Sequence, residues 1–132
     1  MNWKFFVYEM EKLYKKTDYD PDIVVGIAKG GIVPARLLAS YLGVGEMYCL
    51  TIRKFGQERK LVSKITGDLE NKKVLLVEDM LETGGSLIAA RKYLESKGTV
   101  VKTVCLYTTP TSKVEPDFYL KKINKVEKFP WE

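Results

Sequence analysis

The chain has 132 residues, 45% of them hydrophobic and 30% charged, with a formal net charge of +5. That length suits one domain with a modest core, and the composition excludes a disordered chain. The sequence holds no histidine, which removes every imidazole triad or acid–base pair and leaves carboxylates, amines, guanidinium groups and backbone N–H groups for chemistry.

Residues 2–16 read as an amphipathic helix, with Trp3, Phe6, Val7, Met10, Leu13 and Tyr14 at three- and four-residue spacing. A polar turn over 18–22 leads to an apolar strand over 23–27. Lys29, Gly30 and Gly31 follow it, and Pro34 opens a helix to Leu42 that Gly43 stops. From the residues alone, Lys29 with the free N–H groups of Gly30 and Gly31 serves either as an anion site or as an ordinary strand-to-helix turn. A third apolar strand is expected over 47–52. The basic, glycine-punctuated stretch 53–60 reads as a loop, and 61–65 as a half-exposed strand returning from it.

The stretch from Val74 to Leu87 carries the most information. Val74, Leu75, Leu76 and Val77 form a strand apolar on both faces, as in a covered parallel sheet. Glu78 and Asp79 stand where that strand is expected to end, and Thr83-Gly84-Gly85-Ser86 opens the next helix, expected over 86–97 with Gly98 as its stop. A glycine-rich turn at a helix N-terminus gathers N–H groups and positive partial charge around a phosphate. The carboxylate pair beside it suits sugar hydroxyls, or Mg²⁺ held through water. Together they describe a ribose 5-phosphate site; the plainer reading is a tight turn with a serine cap. A strand over 100–107 follows, then a turn-rich stretch over 108–112 and a short strand over 118–120. Cys49 and Cys105 both fall on expected buried strands, far apart, so neither a disulfide nor a metal site is expected from them. No apolar run is long enough to span a membrane and no leader is evident, so a cytoplasmic location is expected.

Strand, two acids, three variable residues and Thr-Gly-x-Ser together resemble the phosphoribosyl pyrophosphate motif of type I phosphoribosyltransferases, filled here by Val74–Val77, Glu78-Asp79, Met80 to Glu82 and Thr83 to Ser86. Residues 27–35 resemble the pyrophosphate loop of the xanthine–guanine and archaeal purine members, and the ending Phe129-Pro130-Trp131-Glu132 resembles that of small archaeal purine enzymes. The resemblance implies a single domain over 1–132: a doubly wound parallel α/β sheet flanked by helices, with a small C-terminal hood. It implies transfer of a phosphoribosyl group from phosphoribosyl pyrophosphate to a purine base, with Mg²⁺, by a homodimer or larger homo-oligomer.

Residue by residue, the resemblance gives Thr83, Gly84, Gly85, Ser86 and Leu87 to the 5-phosphate and Glu78 and Asp79 to the ribose diol and Mg²⁺. Lys29 and Gly30, with a non-proline cis peptide common in that loop, and Arg59 of the mobile loop go to the pyrophosphate. Glu82 stands where the 6-oxopurine enzymes place an aspartate beside purine N7. The lysine that reads the 6-oxo group falls at Thr109 and the stacking aromatic at Val126, with Lys113 and Phe129 as candidate substitutes. Hypoxanthine, guanine or xanthine is expected ahead of adenine. A nucleotide-sensing regulator of the same fold would keep the same motif. No helix-turn-helix segment or aromatic RNA platform is evident to bind nucleic acid.

Overall fold

The computed structural model describes residues 1–132. Its elements are α1 (Trp3–Lys16), β1 (Ile23–Ala28), α2 (Ile32–Leu42), β2 (Glu46–Phe55), β3 (Glu58–Leu61), β4 (Lys73–Leu81), α3 (Gly85–Ser96), β5 (Val100–Thr108) and β6 (Phe118–Lys122). They form one six-stranded sheet of order β3-β2-β1-β4-β5-β6, parallel except for β3. Helices cover both faces, as the doubly wound reading expects. On one face α3 packs Leu87, Ala90 and Leu94 over Val25, Ile27, Val74 and Leu76. On the other, α1 and α2 bring Phe6, Met10, Leu13, Ala35 and Leu38 against Val24, Leu75, Val77 and Leu106. Alternate residues over 23–27 of β1 and 74–77 of β4 thus feed two cores, which is why those runs are apolar without a break.

The chain reverses its winding direction between β1 and β4. From β1 the chain crosses through α2 to β2 on one side; from β4 it crosses through α3 to β5 on the other. The β1–β4 ladder stops at Gly26 and Val77, whereas β4 stays paired with β5 as far as Leu81 and Thr108. Residues 78–81 therefore leave β1 and open a crevice at the carboxyl edge of the sheet, where such folds bind ligands.

Several local expectations are corrected. Glu78 and Asp79 lie inside β4, not at its end. The stretch 53–60 is not a loop: β2 runs on to Phe55 and pairs with β3 in a tight hairpin, Phe55 opposite Glu58 and Ile52 opposite Leu61. The strand expected over 61–65 is displaced accordingly: it ends at Leu61, Val62 gives one last N–H to Thr51 O at 2.9 Å, and residues 63–65 leave the ladder. α2 starts at Ile32, because Pro34 within the first turn has no intrahelical N–H to lose. Cys49 is exposed; α2 covers only the Met47 end of its face of β2. On α1, Trp3 and Tyr14 are exposed. Glu9, in contrast, is 1% exposed. It accepts from Tyr107 Oη at 2.8 Å and pairs with Lys12 Nζ at 2.9 Å and Lys121 Nζ at 3.0 Å, joining α1 to β5 and β6.

Candidate functional site

A cleft of about 320 Å³ opens at the crevice, lined by Lys54 and Arg59 of the hairpin, Glu78 of β4 and the run from Met80 to Leu87. Its floor is the turn between β4 and α3. Gly84 has φ +81°, and a Cβ there would lie 2.7 Å from Val114 Cγ1 and 3.0 Å from Ser112 Oγ, so the position takes only glycine without strain. With that turn in place, the N–H groups of Glu82, Thr83, Gly84, Ser86 and Leu87 have no partner in the protein, and that of Gly85 makes only a 3.3 Å contact to Thr83 Oγ1. Unpaired donors at a helix N-terminus form an anion site. Arg59 reaches over this turn: a Cβ at Gly85 would stand 3.2 Å from Arg59 Cγ. Neither Lys54 nor Arg59 is in an ion pair.

The carboxylates beside the turn are also unneutralised, since no Lys or Arg nitrogen pairs with Glu78 or Asp79. Burial, and then the charge of Asp79, push the Glu78 carboxyl well above the usual carboxylate range. Burial raises Asp79 as well, although the Met80 N–H donated to its Oδ1 at 2.6 Å offsets part of the rise. Two acids held above their ordinary pKa form a site that gains from a cation or from hydroxyl donors. The Ala28–Lys29 loop meets them from β1. Its peptide bond is cis, Lys29 is exposed, and a Cβ at Gly30 would collide with the Asp79 carboxylate. Glycine at 30 is thus what allows the loop to lie against the acidic pair.

The structure brings together the 83–87 turn, Glu78, Glu82 and Arg59 in one cleft, with Asp79 and the Lys29–Gly30 loop adjoining. It leaves the residues matched to base recognition elsewhere or otherwise engaged. Phe129 is 3% exposed, enclosed by Phe6, Tyr107 and a stacked Trp131, and offers no face to a base. Val126 is 65% exposed. The Thr109 hydroxyl faces the carbonyls of Leu81 and Glu82 at 3.0 and 3.1 Å. Lys113 is exposed and ties its N–H to Thr83 O at 2.9 Å. Sequence reasoning passed over Lys54, whose place in a polar strand carries no periodic signal, and the role of residues 109–114 in holding the turn.

A doubly wound sheet with an anion-binding turn at its switch point is the layout of nucleotide-handling α/β proteins. Residues 9–132 match the model of the phosphoribosyl transferase domain family, and the chain belongs to that family. It is similar to the solved purine phosphoribosyltransferase of Pyrococcus horikoshii, with 30% identity, a TM-score of 0.93, and coverage of 100% of this chain and 92% of that one. It is 30% identical over 112 residues to an orotate phosphoribosyltransferase of Porphyromonas gingivalis, covering 83% of this chain and 52% of that protein. A ribose-phosphate pyrophosphokinase of Haemophilus influenzae is 35% identical over 97 residues, covering 74% of this chain and 30% of that protein. The chain thus spans between about a third and a half of the length of these curated relatives. No helix is long and apolar enough to cross a membrane.

Proposed function

We propose that the protein transfers the 5-phosphoribosyl group of 5-phosphoribosyl 1-pyrophosphate to a 6-oxopurine, releasing pyrophosphate. The observation that carries this reading is the turn at 82–87, with five unpartnered N–H groups, set beside two carboxylates raised by burial. A phosphate and a ribose diol, one sugar apart, satisfy both. The similarity to the Pyrococcus horikoshii purine enzyme supports a purine over a pyrimidine, and so does the carboxylate of Glu82.

In this reading Thr83, Gly84, Gly85, Ser86 and Leu87 hold the 5-phosphate, and Glu78 and Asp79 hold the ribose hydroxyls. Lys29, Gly30 and Arg59 face the pyrophosphate, with Arg59, lying over Gly85, also beside the 5-phosphate. Purine N9 attacks C1 of the ribose while the bond from C1 to the pyrophosphate oxygen breaks, its electron pair leaving with pyrophosphate. The ring gains oxocarbenium character, so preorganised charge around the departing group lowers the barrier. The proton at purine N7 passes to the carboxylate of Glu82.

Members of this family generally use Mg²⁺ with phosphoribosyl pyrophosphate. The residues fit that ion: Glu78 and Asp79 are unpaired carboxylates, and no group of three His, Cys, Asp or Glu forms a closed cage. An ion that keeps waters and takes substrate oxygens needs no more than one or two protein carboxylates. When bound it would neutralise the diphosphate charge that develops on departure. The proposal extends to a cytoplasmic homodimer or larger homo-oligomer; exposed aromatics of α1, Phe5 beside Tyr8 on one side and Trp3 on another, support an association surface. The activity is tested by supplying phosphoribosyl pyrophosphate, Mg²⁺ and individual bases and assaying for nucleotide.

A further inference from the structure

Residues 109–113 take the carbonyls of the phosphate turn in sequence. Leu81 O accepts the Thr109 N–H at 3.1 Å and faces the Thr109 hydroxyl at 3.0 Å. Glu82 O accepts the Thr111 hydroxyl at 2.7 Å and lies 3.1 Å from that of Thr109, and the two hydroxyls lie 2.9 Å from each other. Thr83 O accepts the Lys113 N–H at 2.9 Å. Two threonine hydroxyls have two hydrogens to give. The shortest contact assigns one to Glu82 O from Thr111, and the Thr109 hydrogen goes to Leu81 O, Glu82 O or the Thr111 oxygen.

In a trans peptide the C=O of one residue and the N–H of the next point in opposite directions. Each carbonyl drawn toward residues 109–113 therefore turns one N–H the other way: that of Glu82 through Leu81 O, that of Thr83 through Glu82 O, and that of Gly84 through Thr83 O. These three are among the N–H groups without a protein partner, and their residues line the cleft. Gly84 also seats its backbone against Val114 and Ser112. The exposed turn would otherwise have these peptide planes free to rotate.

We infer that Thr109 and Thr111 are positioning residues for the phosphate turn: they fix the Leu81–Glu82 and Glu82–Thr83 peptides so that donors face the ligand before it arrives. This rests on the reading of the turn as a phosphate site. It also accounts for a threonine at 109, its hydroxyl being committed to the turn and not to a base. Preorganised donors lose less freedom on binding, so the effect appears as affinity.

The test is calorimetric titration of ribose 5-phosphate, which carries phosphate and sugar but neither base nor pyrophosphate. Thr109→Val with Thr111→Val keeps shape and removes both hydroxyls. Binding should weaken on the order of tenfold, the scale of one net hydrogen bond. The double serine variant restores both hydroxyls and should bind within about twofold of the parent. With ribose 5-phosphate bound, amide exchange at Thr83 should be faster in the valine variant than in the parent, and not in the serine variant. If the double valine variant does not fold, Thr111→Val alone, at an exposed position, carries the same expectation. Parent-like affinity in the folded valine variant would overturn this inference and leave the phosphate site standing. Failure of the parent protein to bind ribose 5-phosphate would overturn both.

Discussion

Replacing Gly84 by alanine puts the phosphate turn under a defined load. The residue sits at φ +81°, where an L side chain costs about 1–2 kcal/mol. The new Cβ would also stand 2.7 Å from Val114 Cγ1. Val114 is half-buried and must move, which adds about 1–2 kcal/mol of overpacking. A total of about 2–4 kcal/mol is small enough for the fold to survive, with a melting temperature lowered by roughly 5–15 °C. The turn can relieve the strain by rotating the peptides on either side of Gly84, which takes one or two N–H groups out of the cleft. Each charge-assisted bond so lost is worth about 1.5–3 kcal/mol, so ribose 5-phosphate should bind roughly 10- to 100-fold more weakly for each N–H group lost. The assay is the rise in melting temperature on adding ribose 5-phosphate, with titration calorimetry for affinity. Gly45→Ala is the control, since a Cβ there meets nothing within 4 Å. A folded Gly84→Ala protein with the parent's ligand-dependent shift would refute the reasoning.

The other predictions concern charge. Asp79→Asn should stay folded while turnover falls by about 3–4 kcal/mol of transition-state stabilisation, measured as kcat/KM at saturating Mg²⁺; full activity would remove Asp79 from the site. Because burial raises the Glu78 carboxyl, the folded state binds more protons than the unfolded one above pH 4.5. Ligand-free stability should therefore fall as pH rises through the elevated pKa, and Glu78→Gln should flatten that slope in denaturant titrations. Glu9 has the opposite sign: burial alone would raise it, but Lys12, Lys121 and Tyr107 outweigh burial and hold it below 4.5. Its stability is present above that pH and lost as pH falls through the lowered pKa. Glu9→Gln should cost about 1–3 kcal/mol at neutral pH, discounted because both lysines are half exposed and recover water. Lys29→Ala should weaken pyrophosphate inhibition with little change in ribose 5-phosphate affinity, whereas Arg59→Ala should weaken both, since Arg59 lies over Gly85.

What the sequence disclosed was whatever had a periodic or positional signature. The unbroken apolar runs of β1 and β4 revealed a sheet covered on both faces, and the Thr-Gly-Gly-Ser turn and Lys29-Gly30-Gly31 revealed strand-to-helix loops, all of them found in place. The β2–β3 hairpin was hidden because most of its side chains beyond Ile52 face water, so no apolar alternation marks it. Burial of Glu9 was illegible for the opposite reason. Its partners Tyr107 and Lys121 come from strands about a hundred residues away, and only the folded sheet sets them beside α1. The stretch 108–112 read as turn-rich with no sign of what it holds, since fastening carbonyls to hydroxyls and N–H groups depends on where two loops meet, not on spacing within either. Alignment with family positions set Thr109 and Val126 at the base, with Lys113 and Phe129 as candidate substitutes; the Thr109 hydroxyl instead bonds to the turn and Phe129 is buried.

The most direct test of the account is a single activity screen. The protein is incubated with phosphoribosyl pyrophosphate and Mg²⁺ against hypoxanthine, guanine, xanthine, adenine, orotate and uracil, and nucleotide and pyrophosphate are quantified together. The account predicts equimolar nucleotide and pyrophosphate with at least one of the first three bases and neither with orotate nor uracil, and turnover that falls in Glu82→Gln more than ribose 5-phosphate affinity does. Nucleotide from orotate, uracil or adenine alone would contradict the role of Glu82 and the purine assignment. Binding of phosphoribosyl pyrophosphate without reaction of any base would contradict the transferase itself and leave a protein that senses the ribose phosphate.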